Sequence, residues 1–266
     1  MLVRLAFVMA IVVLAGTAAP LHVAAADEIP ACAAYDISPP CQERRRNAAP
    51  VTISYPSPKP FRDCPDCPSM VWIPDQAFAV SQTEVTFAQW EACLEDGGCD
   101  GHKPDNEGWG GWVASEYADF PVMNVTWEHA QSYVRWLSRM TGQRYRLLTT
   151  DEWTIAAFPG GRQQLYPWGN DAPVCEKGAR NGVAYHDECW PEGPMQVGSF
   201  QPNAFGLYDM IGNVGEWLAD PYRPGDPRRA LIGSSWRSDL PSLGGRGGAR
   251  PHEQGPDTGI RIARDR

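Results

Sequence analysis

The sequence predicts an α+β fold: one loop-rich domain with short sheets and two or three helices. Three observations carry that expectation. Helix starts are written as capping signals at three places, and the helices they open are short. Strand-like apolar runs are brief and scattered. The 26 glycines, 25 prolines and 11 tryptophans cut the chain into aromatic-rich loops, a composition foreign to a helical bundle.

The elements follow in order. Met1-Leu2-Val3-Arg4, an apolar run from Leu5 to Leu14 and Ala24-Ala25-Ala26 before Asp27 make residues 1–26 a secretory signal peptide. The run is too short for a membrane span, so a periplasmic or secreted location is expected. Roughly 240 mature residues suffice for one substantial core. Residues 27–63 carry Pro39-Pro40, Arg44-Arg45-Arg46 and further prolines from Pro50 to Pro60, and read as an extended, partly disordered arm. The folded domain is expected over 64–266, with strands at 70–73 and 77–80.

Thr86-x-x-Gln89 is a capping box opening a helix through Trp90 to about Leu94. Thr126 caps a longer helix with Ala130, Tyr133, Val134, Leu137 and Met140 at helical spacing, closed by Gly142. Thr149-x-x-Glu152 is a second capping box, and Pro159-Gly160-Gly161 ends its helix. Beyond Gly160 candidate strands lie at 195–200, 230–234 and 260–263. Neither an internal repeat nor a second domain is evident.

The formal charge of −9, with no basic stripe to offset it, argues against a nucleic-acid partner. A protein, a peptide or a small polar ligand is expected instead, bound by a monomer. Eight cysteines in an exported chain read as disulfides. Proximity favours Cys32–Cys41, Cys64–Cys67, Cys93–Cys99 and Cys175–Cys189, the third because Gly97-Gly98 folds a short loop. Cys64-Pro-Asp-Cys67 has redox spacing, but Pro65 and Pro68 block the helix start that activates such thiols, so it reads as structural.

Between Gly206 and Trp217 the chain packs three glycines, an amide and the carboxylates of Asp209 and Glu216. Carboxylates and carbonyls turned inward by a tight loop suit calcium, while two solvated acids in a glycine-rich turn are the plainer reading. The mature histidines His102, His129, His186 and His252 show no paired ligand spacing, and His129 reads as a packed or surface residue of its helix.

Seven segments in register carry a resemblance. They are Glu84-Val85-Thr86; Pro121-Val122-Met123-Asn124-Val125-Thr126-Trp127; Arg146-Leu147-Leu148-Thr149-Thr150-Asp151-Glu152-Trp153; Tyr166-Pro167-Trp168-Gly169; Gly206 to Trp217; Gly233-Ser234-Ser235-Trp236; and Gly259-Ile260-Arg261-Ile262-Ala263-Arg264. Over about residues 68–264 they resemble the formylglycine-generating enzyme, or sulfatase-modifying factor, family. The resemblance implies a C-type-lectin-like domain and structural Ca2+. Its first calcium set falls on Asp209, Gly212, Val214 and Glu216, and its second on Asn181 and Gly182, with Asp187 or Glu188 as acid.

The resemblance also implies what is missing. Oxidase members hold copper through two cysteines, because soft sulfur ligates Cu(I). Those positions are Ser238 and Leu243, and no cysteine follows Cys189. A family tryptophan beside the oxygen pocket is Gly215 here, whereas the family serine persists as Ser235. No copper is therefore expected, and formylglycine-generating activity is not. An iron-binding ergothioneine-synthase branch needs a histidine-bearing domain this chain has no room for. A siderophore-precursor oxidoreductase branch shares the fold.

The C-terminal loop keeps chemistry of its own. Ser235, Ser238, Asp239 and Arg250 are candidate catalytic residues. Trp236, Arg237, Arg246 and Arg250 are candidate ligand-binding residues, since guanidinium forks bind carboxylate, phosphate or sugar oxygens. The alternative for Arg246 and Arg250 is internal pairing with acids. Trp109 and Trp112 would add an aromatic wall or pack in the core. The expected function is a binding or accessory module without the thiol oxidase centre. The alternatives are an oxidoreductase with other metal- or oxygen-dependent chemistry in the same cleft, or a residual role in sulfatase maturation.

Overall fold

All three capping signals open helices. Thr86 caps α1 (Phe87–Glu95), accepting from Gln89 N while the Gln89 side chain accepts from Thr86 N. Thr149 and Glu152 repeat the exchange at α3 (Thr150–Ala157). Thr126 caps α2 (Trp127–Thr141), and Gly142 closes it in the left-handed conformation at φ 69°. The reciprocal partner at α2 is the His129 ring, where sequence rules look for Glu or Gln. Each such cap is worth about 1 kcal/mol.

The computed structural model describes residues 59–104, 117–159, 161, 164–185, 193–238 and 245–266, together with Cys41, Glu43 and Asn47. The expected signal peptide and most of the arm lie outside them, as do Trp109, Trp112, Asp187, Glu188, Asp239 and Leu243. The described residues all belong to one unit, 33–266.

Two four-stranded sheets carry the domain. The first has the order β1-β2-β8-β3, built from β1 (Met70–Trp72), β2 (Phe78–Ser81), β3 (Tyr145–Leu147) and β8 (Ile262–Asp265), all antiparallel. The second has the order β6-β5-β4-β7. It joins β4 (Gly215–Pro221), β5 (Arg229–Ile232) and β6 (Gly247–Ala249) as antiparallel neighbours, and adds the parallel β7 (Thr258–Gly259) beside β4. Sheet pairing therefore brings the C-terminus back between β2 and β3, and Asp63 ties it down through Arg264 and Tyr145.

Two strand expectations need correction, and three strands were not expected. Residues 195–200 form no strand, because their backbone donors go elsewhere: Val197 N to Asp119 O and Gly198 N to Asp209 Oδ2. β4 starts inside the glycine-rich motif, where Gly, Glu, Asp and Pro mask any strand signal. β3 and β6 are too short to show a period. The terminal strand is shifted, with Ile260 and Arg261 lying between β7 and β8.

The core forms two clusters. One packs α1 and α2 through Phe87, Trp90, Tyr133 and Leu137, with the Trp90 and Tyr133 rings stacked at 5.5 Å. The other packs α3 onto β2 and β5 through Trp153, Ala156, Val80 and Ile232. Met140, expected on the buried face of α2, is 41% exposed in the last turn. Cys64–Cys67 and Cys93–Cys99 are bonded as expected. Cys41 and Cys175 are disulfide-bonded too, while their expected partners Cys32 and Cys189 lie outside the described residues.

Candidate functional site

Beneath the glycine-rich motif lies a buried charge centre. Glu84 follows β2, Asp209 precedes β4, Glu216 is on β4, and Arg261 sits between β7 and β8. Arg261 and Glu84 are 0% exposed and Glu216 is 1% exposed. Arg261 Nε donates to Glu216 Oε1 at 2.8 Å, and Trp153 Nε1 donates to Glu216 Oε2 at 2.5 Å. The other guanidinium nitrogens donate to Ser81 O at 2.9 Å and Tyr208 O at 2.8 Å. Glu84 stands 4.0 Å from Arg261, and neither of its oxygens accepts a hydrogen bond among the described residues. Three carboxylates thus share one guanidinium.

The electrostatics follow from that imbalance. Burial, then the charge of Asp209, pushes Glu84 well above the usual carboxylate range. Burial raises Asp209 to about 6, although Gly198 N–H donates to it at 2.6 Å. Burial also raises Glu216, against the pull of Arg261. Asp209 is held at φ 52° and Asn213 at φ 55°, both in the left-handed region sparsely used by non-glycine residues.

This geometry bears on the calcium set. Glu216 has both oxygens engaged by Arg261 and Trp153, so it is a latch within the protein before it is a ligand. Asp209 has one oxygen engaged. Glu84, not singled out from the sequence, carries two buried oxygens with no donor, and such groups suit a cation. Among the described residues no three His, Cys, Asp or Glu side chains converge as a metal cage, so loop carbonyls would have to complete any site. Gly212 turns at φ 79° with its N–H on Gly233 O, and Val214 is buried in the core. In the second expected set, the Asn181 amide donates to Ala172 O, and Gly182 lies against the Phe200 ring.

The serines of the C-terminal loop do come together. Ser235 Oγ donates to Asp257 Oδ2 at 2.6 Å, and Ser235 N donates to Ser238 Oγ at 3.0 Å. The two hydroxyl oxygens are 3.5 Å apart. Ser234 turns the chain at φ 60°, and Gly215 N donates to Asp257 O, which brings Gly215 under this cluster. Trp236 Nε1 is buried with no acceptor among the described residues, and Arg237 lies 5.7 Å over its ring. Asp257 escaped the sequence reading because a lone acid in a Gly-Pro-rich turn carries no signal.

The remaining candidates separate from the serines. Arg246 donates to Tyr222 O and Pro221 O, and Arg250 is exposed beside Glu253 at 3.7 Å. Neither joins the Ser235 hydrogen-bond cluster. His102 and His129, read as scattered, stack face to face at 3.7 Å. Burial and the neighbouring His102 lower His129 to about 4.

Known proteins resemble this chain. Residues 54–266 match the model of the sulfatase-modifying factor enzyme 1-like domain. The inactive C-alpha-formylglycine-generating enzyme 2 of Bos taurus is 36% identical over 132 residues, covering 46% of this chain and 40% of that protein. The hercynine oxygenase of Mycolicibacterium thermoresistibile is 29% identical over 176 residues, covering 56% of this chain and 36% of that protein. Both matches therefore span less than half of the relative's length. Among solved structures, PvdO from Pseudomonas aeruginosa is 27% identical with a TM-score of 0.63, covering 80% of this chain and 100% of that one.

Proposed function

This chain belongs to the sulfatase-modifying factor family and has its C-type-lectin-like α+β fold, and from that premise we propose that it is an exported binding or accessory domain that does not oxidise thiols. One observation carries the reading. At the position of the family's first copper-binding cysteine stands Ser238, whose hydroxyl accepts from Ser235 N and neighbours Ser235 Oγ. Ser235 is in turn committed to Asp257. A hydroxyl tied into an acid network supplies no soft ligand for Cu(I), and Leu243 at the second position supplies none either. The likeness to a relative named as inactive supports this reading. The signal-peptide pattern of residues 1–26 supports export.

A structural calcium ion is part of the proposal. Asp209 and Glu84 would hold it with loop carbonyls, because the negative charge of buried Glu84 and Glu216 and half-buried Asp209 exceeds what Arg261 offsets. Its chemistry would be to neutralise that charge and lock the loops. The residues of this chain would do the rest: Arg261 clamps the 208–209 carbonyls to β4, and Trp153 holds Glu216 in place.

The oxidase question is decided by incubating the purified protein with a C-x-P-x-R peptide, copper and oxygen, then weighing the peptide. Unchanged mass is expected; a loss matching formylglycine would sink the proposal. A second reading, different chemistry in the same cleft, is favoured by the short Ser235–Asp257 bond and the unpartnered Trp236 Nε1. A chromophore or transition metal retained through purification would support it over the binding module.

A further inference from the structure

The turn joining β4 to β5, with Arg246 and Arg250 beside it, holds more positive than negative charge. Tyr222 is ringed by three guanidiniums, with Arg223, Arg228 and Arg246 centred 5.1, 4.8 and 5.4 Å from its ring centroid. The ring packs on Gly248 of β6, where a Cβ would stand 2.5 Å from Tyr222 Cγ. Arg246 is anchored by its bonds to the Tyr222 and Pro221 carbonyls. Arg223, Arg228 and Arg250 face an open basin floored by Pro224, Gly225 and Pro227, about 820 Å³ counting its solvent-open side.

The opposing charge does not balance. Among the described residues Asp226 is the one acid lining the basin, and Arg228 already engages it through Nε at 3.0 Å and Nη2 at 2.8 Å. Glu253 stands 3.7 Å from Arg250, but both side chains are largely exposed, so water screens the pair. Arg223 makes no ion pair among the described residues and is exposed. A chain of formal charge −9 thus holds arginines together on one rim, where their mutual repulsion is relieved by an anion. The aromatic face steadies them, since a tyrosine ring attracts cations placed over it.

We propose that this basin is a binding site for an oxyanion ester, a sulfate or phosphate monoester, with Arg223 and Arg250 as its forks and Arg228, held by Asp226, adding its charge. Guanidinium forks match tetrahedral oxyanions two donors at a time. The proposal deepens the binding-module reading by naming a ligand class, and it is measured without any thiol chemistry, so either can fail alone.

Titration calorimetry at low salt tests it with glucose 6-sulfate, glucose 6-phosphate and glucose as probes. At least one ester should bind at least about tenfold tighter than glucose. The Arg223→Gln/Arg228→Gln double variant should lose about tenfold in affinity or more, since it removes two guanidinium charges from the basin. Arg139→Gln, an exposed arginine on α2, should leave affinity unchanged, and circular dichroism checks that both variants fold. Which ester binds tighter identifies the source of the oxyanion. Binding of neither ester above glucose, an unaffected double variant, or an equal loss in Arg139→Gln would each overturn the site.

Discussion

Replacing Arg261 by methionine removes the sole cation of the buried charge centre while keeping much of its volume. Three acceptors then lose their donors: Glu216 Oε1, Ser81 O and Tyr208 O, all bonded at 2.8–2.9 Å. Glu84 also loses its neighbouring charge at 4.0 Å. Breaking a buried pair from one side costs about 3–5 kcal/mol, and each orphaned carbonyl adds roughly 1–3 kcal/mol. Against a total stability of about 5–15 kcal/mol the expected loss is at least about 4 kcal/mol. Urea unfolding followed by tryptophan fluorescence in chelator measures it. The loss should shrink in acid. Asp209 has a folded pKa of about 6 against an ordinary 3.8, so between those values the folded state holds more protons and stability falls as pH rises. Without Arg261 the carboxylates shift further up, and the deficit at pH 8 should exceed that at pH 5. The Arg261→Met/Glu216→Gln pair should recover about 1 kcal/mol or more of the loss, and it serves if the single variant does not fold. A deficit below about 1 kcal/mol, or one independent of pH, would refute the reasoning.

Glu84→Gln removes a buried charge without hydrogen bonds and should raise stability in chelator by about 1–3 kcal/mol while abolishing the calcium-dependent rise in Tm. An equal rise in both proteins would mean that Glu84 holds no ion. His129, with a folded pKa of about 4 against an ordinary 6.5, binds fewer protons folded than unfolded in that window. Stability should therefore drop as pH falls from about 6.5 toward 4, and His129→Gln should flatten that slope in thermal melts. Gly212→Ala would set a Cβ 2.4 Å from Val183 Cγ1 and 2.5 Å from Ala184 O at φ 79°, whereas Gly225→Ala at φ 77° meets open space. The first should cost about 1–3 kcal/mol beyond the second by chemical denaturation, and equal losses would contradict the packing described.

Much of this protein could be read from its order of residues because the deciding interactions are local. Capping boxes at Thr86 and Thr149, the stop at Gly142 and the bridges Cys64–Cys67 and Cys93–Cys99 join groups within a few residues, so spacing alone determined them. The family followed from seven motifs in register, and the proposal of a missing oxidase centre from Ser238 and Leu243. Tertiary structure decided the rest. β4 exists because Trp217 and Glu216 pair with Leu231 and Ile232, not because its composition favours a strand. Glu216 read as a calcium ligand, yet Arg261, 45 residues on, and Trp153, 63 residues back, take its oxygens. Ser235 meets Asp257 across 22 residues, and the arginines at 223, 228 and 246 meet only because β4, β5 and β6 stack them around Tyr222. Charge balance is a property of which groups share a small volume, and only sheet pairing and burial determine that.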